Sequence, residues 1–256
     1  TSAVSGVSGP VISGNDVSMS PGSTSISTIG ILLEDCTGTS INMADNFVAM
    51  PTDAVLVDGC DVTDENSEFL GGDLVSSSGV VSTNGDLVTL SGTEISGFDI
   101  GVESDGGTLT ITDNATIAGG SQAVYAYDTQ LMINYAELDG GASGVGLLLE
   151  DSGEALMYCV DLEGEGGMDI YNTDFRYNMG DVNSEYAIFV SDSVGKVENL
   201  TWTSSVVTQI ELFQGAMVTS IGQDLTPSKL VVPTGTMIDE ANLLDINADH
   251  LNAPVT

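Results

Sequence analysis

The sequence predicts an all-β fold of stacked parallel coils, and three observations predict it. Short Val/Ile/Leu runs are interrupted every few residues by Gly, Ser, Thr, Asn and Asp along the whole chain, the texture of many short strands and turns. One phrase recurs at a nearly fixed interval: apolar residues, then Asp or Asn with Ser, Thr or Gly, then a second apolar strand. The repeats carry no helix-period pattern.

The phrase reads GILLEDCTGTSI from Gly30, AVLVDGCDV from Ala54, VVSTNGDLVTL from Val80 and GVESDGGTLTI from Gly101. It continues as AVYAYDTQLMI from Ala123, GLLLEDSGEALM from Gly146, DIYNTDF from Asp169 and AIFVSDSVGKV from Ala187. Its turn residue falls at Asp35, Asp58, Asn84, Asp105, Asp128, Asp151, Asn172 and Asp192, a nearly constant step that marks an internal repeat. Weaker echoes at Gly14-Asn15-Asp16, from Ile210 and from Leu230 extend the count to ten or eleven coils, each of roughly 20–26 residues. Many units close on an apolar residue and glycine, as at Gly97, Gly119, Gly140 and Gly166. Such a period suits a coil that turns its corners on Gly and Asx residues and pairs its strands with the coils above and below. An antiparallel sandwich is the rival, but sandwich turns need not keep one register through the chain.

In its periodicity over residues 11–235 the chain resembles the right-handed parallel β-helix family, of the pectate-lyase-like or PbH1-repeat kind. The resemblance implies a single-stranded right-handed solenoid, one domain over residues 1–235, with 236–256 as a C-terminal cap or a linker to a further region. Leu33, Val57, Val102, Ala126, Leu149 and Val190 are then the inward positions. The tail from Met237 has spaced apolar residues compatible with a short helix or irregular cap. The start, TSAVSGVSGP, has no comparable cap, which leads to the expectation that the chain belongs to something longer.

Charge narrows the partners. The 256 residues hold 38 acidic against 3 basic side chains, a net charge of −35, while the mean hydropathy is +0.19. High charge with this hydrophobicity excludes a disordered acidic tail. With only Arg176, Lys196 and Lys229, the chain has no surface for nucleic-acid phosphates or anionic lipid. No apolar run approaches the roughly 20 residues that span a bilayer.

The resemblance implies enzymes that cut acidic polysaccharides, and those activities need specific groups. Polygalacturonase-like hydrolases share an Asn-Thr-Asp element, an Asp-Asp pair, a Gly-His-Gly and an Arg-x-Lys. Asn172-Thr173-Asp174 matches the first and nothing matches the others, so it reads as one more corner. Elimination needs a basic group and cations to hold uronates, and Arg176 beside Phe175 and Tyr177 is a poor basis for that. The clusters Asp61/Asp64/Glu65, Glu150/Asp151, Asp161/Glu163/Glu165 and Asp239/Glu240 read as solvated surface. His250 is the sole histidine, which leaves no Ser/His/Asp triad.

Asp35, Asp58, Asp105, Asp128, Asp151 and Asp192 form the corner set. Turn chemistry accounts for them, yet acidic side chains stacked a coil apart repel, and Ca²⁺ prefers several carboxylate and carbonyl oxygens. Ca²⁺ is therefore the candidate cofactor. Asp245, Asn247 and Asp249 form a second candidate site with D-x-N-x-D alternation, although His250 stands where the usual loop has Gly. Cys36 and Cys60 lie one repeat apart, each just after the corner of its own coil, as either a disulfide or two stacked thiols; Cys159 reads as a buried free thiol. Asn114 and Asn199 begin glycosylation sequons. Tyr135 and Tyr158, also one repeat apart, are expected to stack in one column, inside the wall or as an exposed ladder for sugar rings.

These readings lead to the expectation of a non-enzymatic extracellular or cell-surface rod, structural or adhesive, kept soluble at high ionic strength by its charge as in a saline habitat. Its partners would be cell-surface glycans or neighbouring copies. The alternatives are a carbohydrate-binding or polysaccharide-cleaving enzyme, which needs long loops walling a cleft, and a subunit of a filament or surface layer.

Overall fold

The computed structural model describes residues 10–18, 28–36, 40–49, 51–84 and 86–241. It is an all-β parallel solenoid of about 9 turns, consistent with a right-handed parallel β-helix, with 74% of residues in strands and no α-helix among the described residues. The ten or eleven expected coils shrink because the two outermost echoes are partial turns. Val11–Ser13 and Asp16–Ser18 cover two sides at one end, and Leu230–Val231 and Met237–Ala241 cover two at the other.

Each coil contributes to three parallel sheets. Sheet A stacks Ile29–Glu34, Asp53–Asp58 and their successors through Val145–Glu150 to Thr208–Phe213. A corner leads to sheet B, from Ser40–Ala44 through Thr108–Thr112 to Met217–Ile221. A second corner leads to sheet C, which begins with Asp16–Ser18 and Phe47–Ala49. Long strands such as Glu154–Tyr171 and Asp174–Ser191 run through all three.

The sequence phrase now has a physical meaning. A Gly or Ala at or just before the phrase forms an inward column of Gly30, Ala54, Gly79, Gly101, Ala123, Gly146, Gly167 and Ala187 where sheets C and A meet. There is little room there: a Cβ on Gly101 would lie 2.5 Å from the carbonyl oxygen of Ala123. The next alternate positions are apolar and buried, and Leu33, Val57, Val102, Ala126, Leu149 and Val190 all point into the core as expected. At about 25 cal/mol per Å², these stacked apolar columns supply the main drive for folding.

Both corners turn on the left-handed conformation. At the first corner it is adopted by Asp35, Gly59, Asn84, Gly106, Asp128, Asp151, Asn172, Asp192 and Gln214, with φ between 42° and 80°. Asp and Asn tolerate this region and Gly meets no Cβ penalty. The second corner uses Asp45, Asn66, Gly92 and Asp113, then Tyr135, Cys159, Met179 and Asn199. Bulky residues there cost roughly 1–3 kcal/mol each.

Inside the first corner the residue after the turn builds a hydroxyl ladder. The N–H of Thr129 donates to Ser152 Oγ at 3.3 Å, that of Ser152 to Thr173 Oγ1 at 3.0 Å, and that of Thr173 to Ser193 Oγ at 2.9 Å. Each hydroxyl donates back to the carbonyl two residues earlier in its own coil. In the first coils the same position is Cys36 and Cys60, which form a disulfide with Cα atoms 4.7 Å apart. Asp86 follows, taking the N–H groups of Gly59 and Cys60 at 3.1 and 2.7 Å. The second corner has its own polar interior in the early coils, where Ser67 and Thr93 donate to buried Asp64 at 2.6 and 2.7 Å, and again later, where the buried Tyr177 hydroxyl donates to the carbonyl of Val160 and Gln223 Nε2 donates to buried Ser220 Oγ.

The structure corrects one expectation here and shows how the described chain ends. Asp64, expected on a solvated surface, is 1% exposed, and burial holds its carboxyl above the usual value. The segment from Met237 begins as a strand paired with Met217–Ile221, so the sheet runs on to Ala241.

Candidate functional site

The corner set divides by register. Asp35, Asp128, Asp151 and Asp192 share the left-handed column. Asp58 and Asp105 sit one residue earlier, paired with Glu34 and Tyr127, because Gly59 and Gly106 take the turn in their coils. The column is also less repulsive than a stack of acids: Asn84 Nδ2 donates to Asp58 Oδ1 at 2.5 Å and Asn172 Nδ2 to Asp151 Oδ1 at 2.8 Å. Among the described residues no three carboxylate, thiol or imidazole side chains converge as a metal-binding group. Asp245, Asn247, Asp249 and His250 lie outside the described residues.

Asn172-Thr173-Asp174 is a corner, with Asn172 at φ 47° and Thr173 buried in the hydroxyl ladder. Asn114 and Asn199 are exposed at the second corner, where a glycan would point to solvent. Tyr135 and Tyr158 do touch, edge to face with ring centroids 5.5 Å apart. They are not in one column, since Tyr158 pairs with Asn134 and Tyr135 turns the corner, and both are exposed. Cys159 is free but only half-buried, which corrects the buried thiol.

The outward face of sheet A carries a pattern that comparing adjacent repeats overlooks. One column runs Tyr127, Glu150, Tyr171, Ser191, Phe213, so an aromatic ring recurs on every second coil. The neighbouring column runs Tyr125, Leu148, Asp169, Phe189, Glu211. Tyr125 donates to Glu150 Oε2 at 2.8 Å, and Tyr171 lies against Phe189 with centroids 5.4 Å apart. At about 4.8 Å per coil, successive rings in the series Tyr127, Tyr171, Phe213 stand roughly 10 Å apart along the axis. The signal was present in the sequence as a spacing of twice the repeat.

The electrostatics of this face differ from those of a solvated acidic surface. Burial, then Glu211, raises Asp169 to about 6. Tyr125 is pushed up to about 12 by burial and then by Glu150, and burial likewise raises Tyr171. The face thus offers ring surfaces, phenol donors and carboxylate acceptors, one of them protonated in mild acid. Among the described residues no long loops wall it in: residues 61–79 fall largely within the strands Asp61–Glu65 and Glu68–Thr83.

A second concave feature lies at the second corner. A cleft of about 380 Å³ is lined by two columns, Tyr135, Cys159 and Met179 and, two positions on in each coil, Glu137, Asp161 and Asp181. No family model and no curated protein matches this chain.

Proposed function

We propose that the chain is a rigid, non-catalytic adhesive rod of the cell exterior whose sheet A face holds an extended neutral glycan along the solenoid axis. The observation that carries this reading is the recurrence of Tyr127, Tyr171 and Phe213 on every second coil with Glu150 and Ser191 between them. Sugar rings stack on aromatic faces, and carboxylates and phenols bond their hydroxyls. An open sheet suits a polymer better than a small ligand, which favours an enclosed pocket. The Cys36–Cys60 disulfide supports an oxidising compartment, and the net charge of −35 supports use where salt screens self-repulsion.

Binding to insoluble neutral polysaccharides tests the reading. Tyr171→Ala and Phe213→Ala are expected to release the rod at concentrations that retain the parent chain. Retention unchanged in both would refute it. Ca²⁺ belongs to the same proposal as an ion held by the corner carboxylates. If they hold it, millimolar Ca²⁺ raises the melting midpoint beyond NaCl of equal ionic strength, and Asp128→Asn or Asp151→Asn removes the increment.

Asp169 favours a second reading, cleavage of the bound glycan. Its carboxyl at about 6 has the proton affinity of a general acid. Reducing-sugar release that Asp169→Asn abolishes, with binding intact, would select this reading over the first.

A further inference from the structure

The cleft at the second corner has two unlike walls in register. Tyr135, Cys159 and Met179 turn three successive coils in the left-handed conformation, at φ 54°, 52° and 64°. The residues after them are small or buried: Ala136 and Gly180 line the floor with Ala115, and Val160 is wholly buried. Two positions after each turn stands a carboxylate, Glu137, Asp161 or Asp181. Glu137 pairs with Asp161 in the sheet, and the N–H of Asp181 donates to Asp161 Oδ1 at 2.8 Å. The result is an aromatic and thioether wall beside an acidic wall, each repeating once per coil, about 4.8 Å.

We propose that this cleft binds a linear aliphatic polyamine lying along the axis, its ammonium groups against Glu137, Asp161 and Asp181 and its methylene stems on Tyr135, Met179 and the floor. Charge complementarity selects the occupant. Among the described residues no basic side chain lines the cleft, and the cations lie elsewhere: Arg176 with Glu154, Lys196 with Glu198, Lys229 on the carbonyl of Val206. The acids stand one per coil and form no metal-binding group, so they suit several separated charges better than one compact ion. An ammonium near a tyrosine ring gains a cation–π contact, and alkyl stems gain from the apolar wall. Tyr, Cys and Met replace the Asp, Asn or Gly of other corners despite the backbone cost, which gives that wall its apolar character. The cleft lies apart from the sheet A face, and its ligand does not depend on the glycan reading.

The test is calorimetric titration of the full chain with spermidine at roughly physiological salt, where non-specific attraction is screened within about 8 Å. One saturable site per chain is expected. Asp161→Asn keeps the acceptor for the Asp181 N–H, and Glu137→Gln removes an exposed charge. Each is expected to weaken binding about tenfold, the loss of one charge-assisted contact. Tyr135→Ala is expected to weaken it several-fold with the melting midpoint retained or raised. Asp105→Asn, an equal charge change at the other corner, and Tyr171→Ala are expected to leave it unchanged. Non-saturating heats, an equal loss in Asp105→Asn, or displacement by Mg²⁺ at matched ionic strength would overturn the proposal.

Discussion

Asn172 donates from its side-chain amide to Asp151 Oδ1, 2.8 Å away on the preceding coil. In a column that also holds Asp128 and Asp192, this amide supplies a donor where a third consecutive acid would supply only repulsion. Asn172→Asp is therefore expected to destabilise the rod by about 0.5–1 kcal/mol in low salt. The loss should shrink in high NaCl, while Asn172→Gly, which removes the amide and meets no Cβ penalty in the left-handed turn, should show a salt-independent change. Urea denaturation at the two salt concentrations measures both.

The hydroxyl ladder makes a sharper prediction. Thr173 Oγ1 takes the N–H of Ser152 at 3.0 Å and donates to the carbonyl of Tyr171 at 3.0 Å, with Thr173 and Ser152 both buried. Thr173→Val keeps the shape and strands the Ser152 N–H. The expected cost is about 1–3 kcal/mol, and Thr173→Ser should recover most of it. Urea midpoints that leave Thr173→Val equal to the parent would show that the ladder contributes nothing.

Breaking the Cys36–Cys60 bridge should act locally. The bridged cysteines are separated by 24 residues, for which the chain-entropy account gives about 3.5 kcal/mol. Coils of a solenoid contact chiefly their neighbours, so reduction is expected to release the first coils and not the whole rod. Hydrogen exchange should show lost protection for amides in Ile29–Glu34 and Ser40–Ala44 and unchanged protection at Val124, Leu147 and Ile188. Uniform loss along the chain would contradict that one-dimensional behaviour.

The legible and illegible parts of this protein separate along physical lines. The repeat, the parallel sheet and the inward residues from Leu33 to Val190 follow from spacing, because each coil must bury the same two alternating positions. The first corner was readable because Asp, Asn and Gly dominate it. The second was not, since Tyr135, Cys159 and Met179 break the composition rule for a left-handed turn. Asp58 and Asp105 stand one residue before the turn because a following glycine takes it. Asp64 looked like surface in a run of acids, yet strand alternation turns it inward to meet Ser67 and Thr93. The candidate surfaces were the least legible: the rings on sheet A gather only when every second coil is compared, and the cleft needs two columns brought side by side.

Asp169 gives the last prediction. Its ordinary value is 3.8 and the folded value is about 6, so the folded chain holds this proton more tightly than the unfolded chain. The sign follows: its contribution to stability is complete below 3.8 and is lost as the pH rises through about 6. The shift corresponds to an effect on the order of 2 kcal/mol after allowance for partial contact with water. Asp53 and Asp64 are raised by the same main cause, burial, and general repulsion among the acids also eases on protonation. The parent stability is therefore expected to fall between pH 4 and 7 for several reasons at once. Asp169→Asn isolates one of them, since the amide fits the same site uncharged at every pH. The variant should match the parent near pH 4 and exceed it at pH 7, with the two curves parting between the two pKa values. Denaturant midpoints at pH 4, 5, 6 and 7 give the comparison. A variant less stable than the parent at pH 7 would mean that the charged carboxylate is held by a favourable partner, and would reverse the assignment of Asp169 as a desolvated acid.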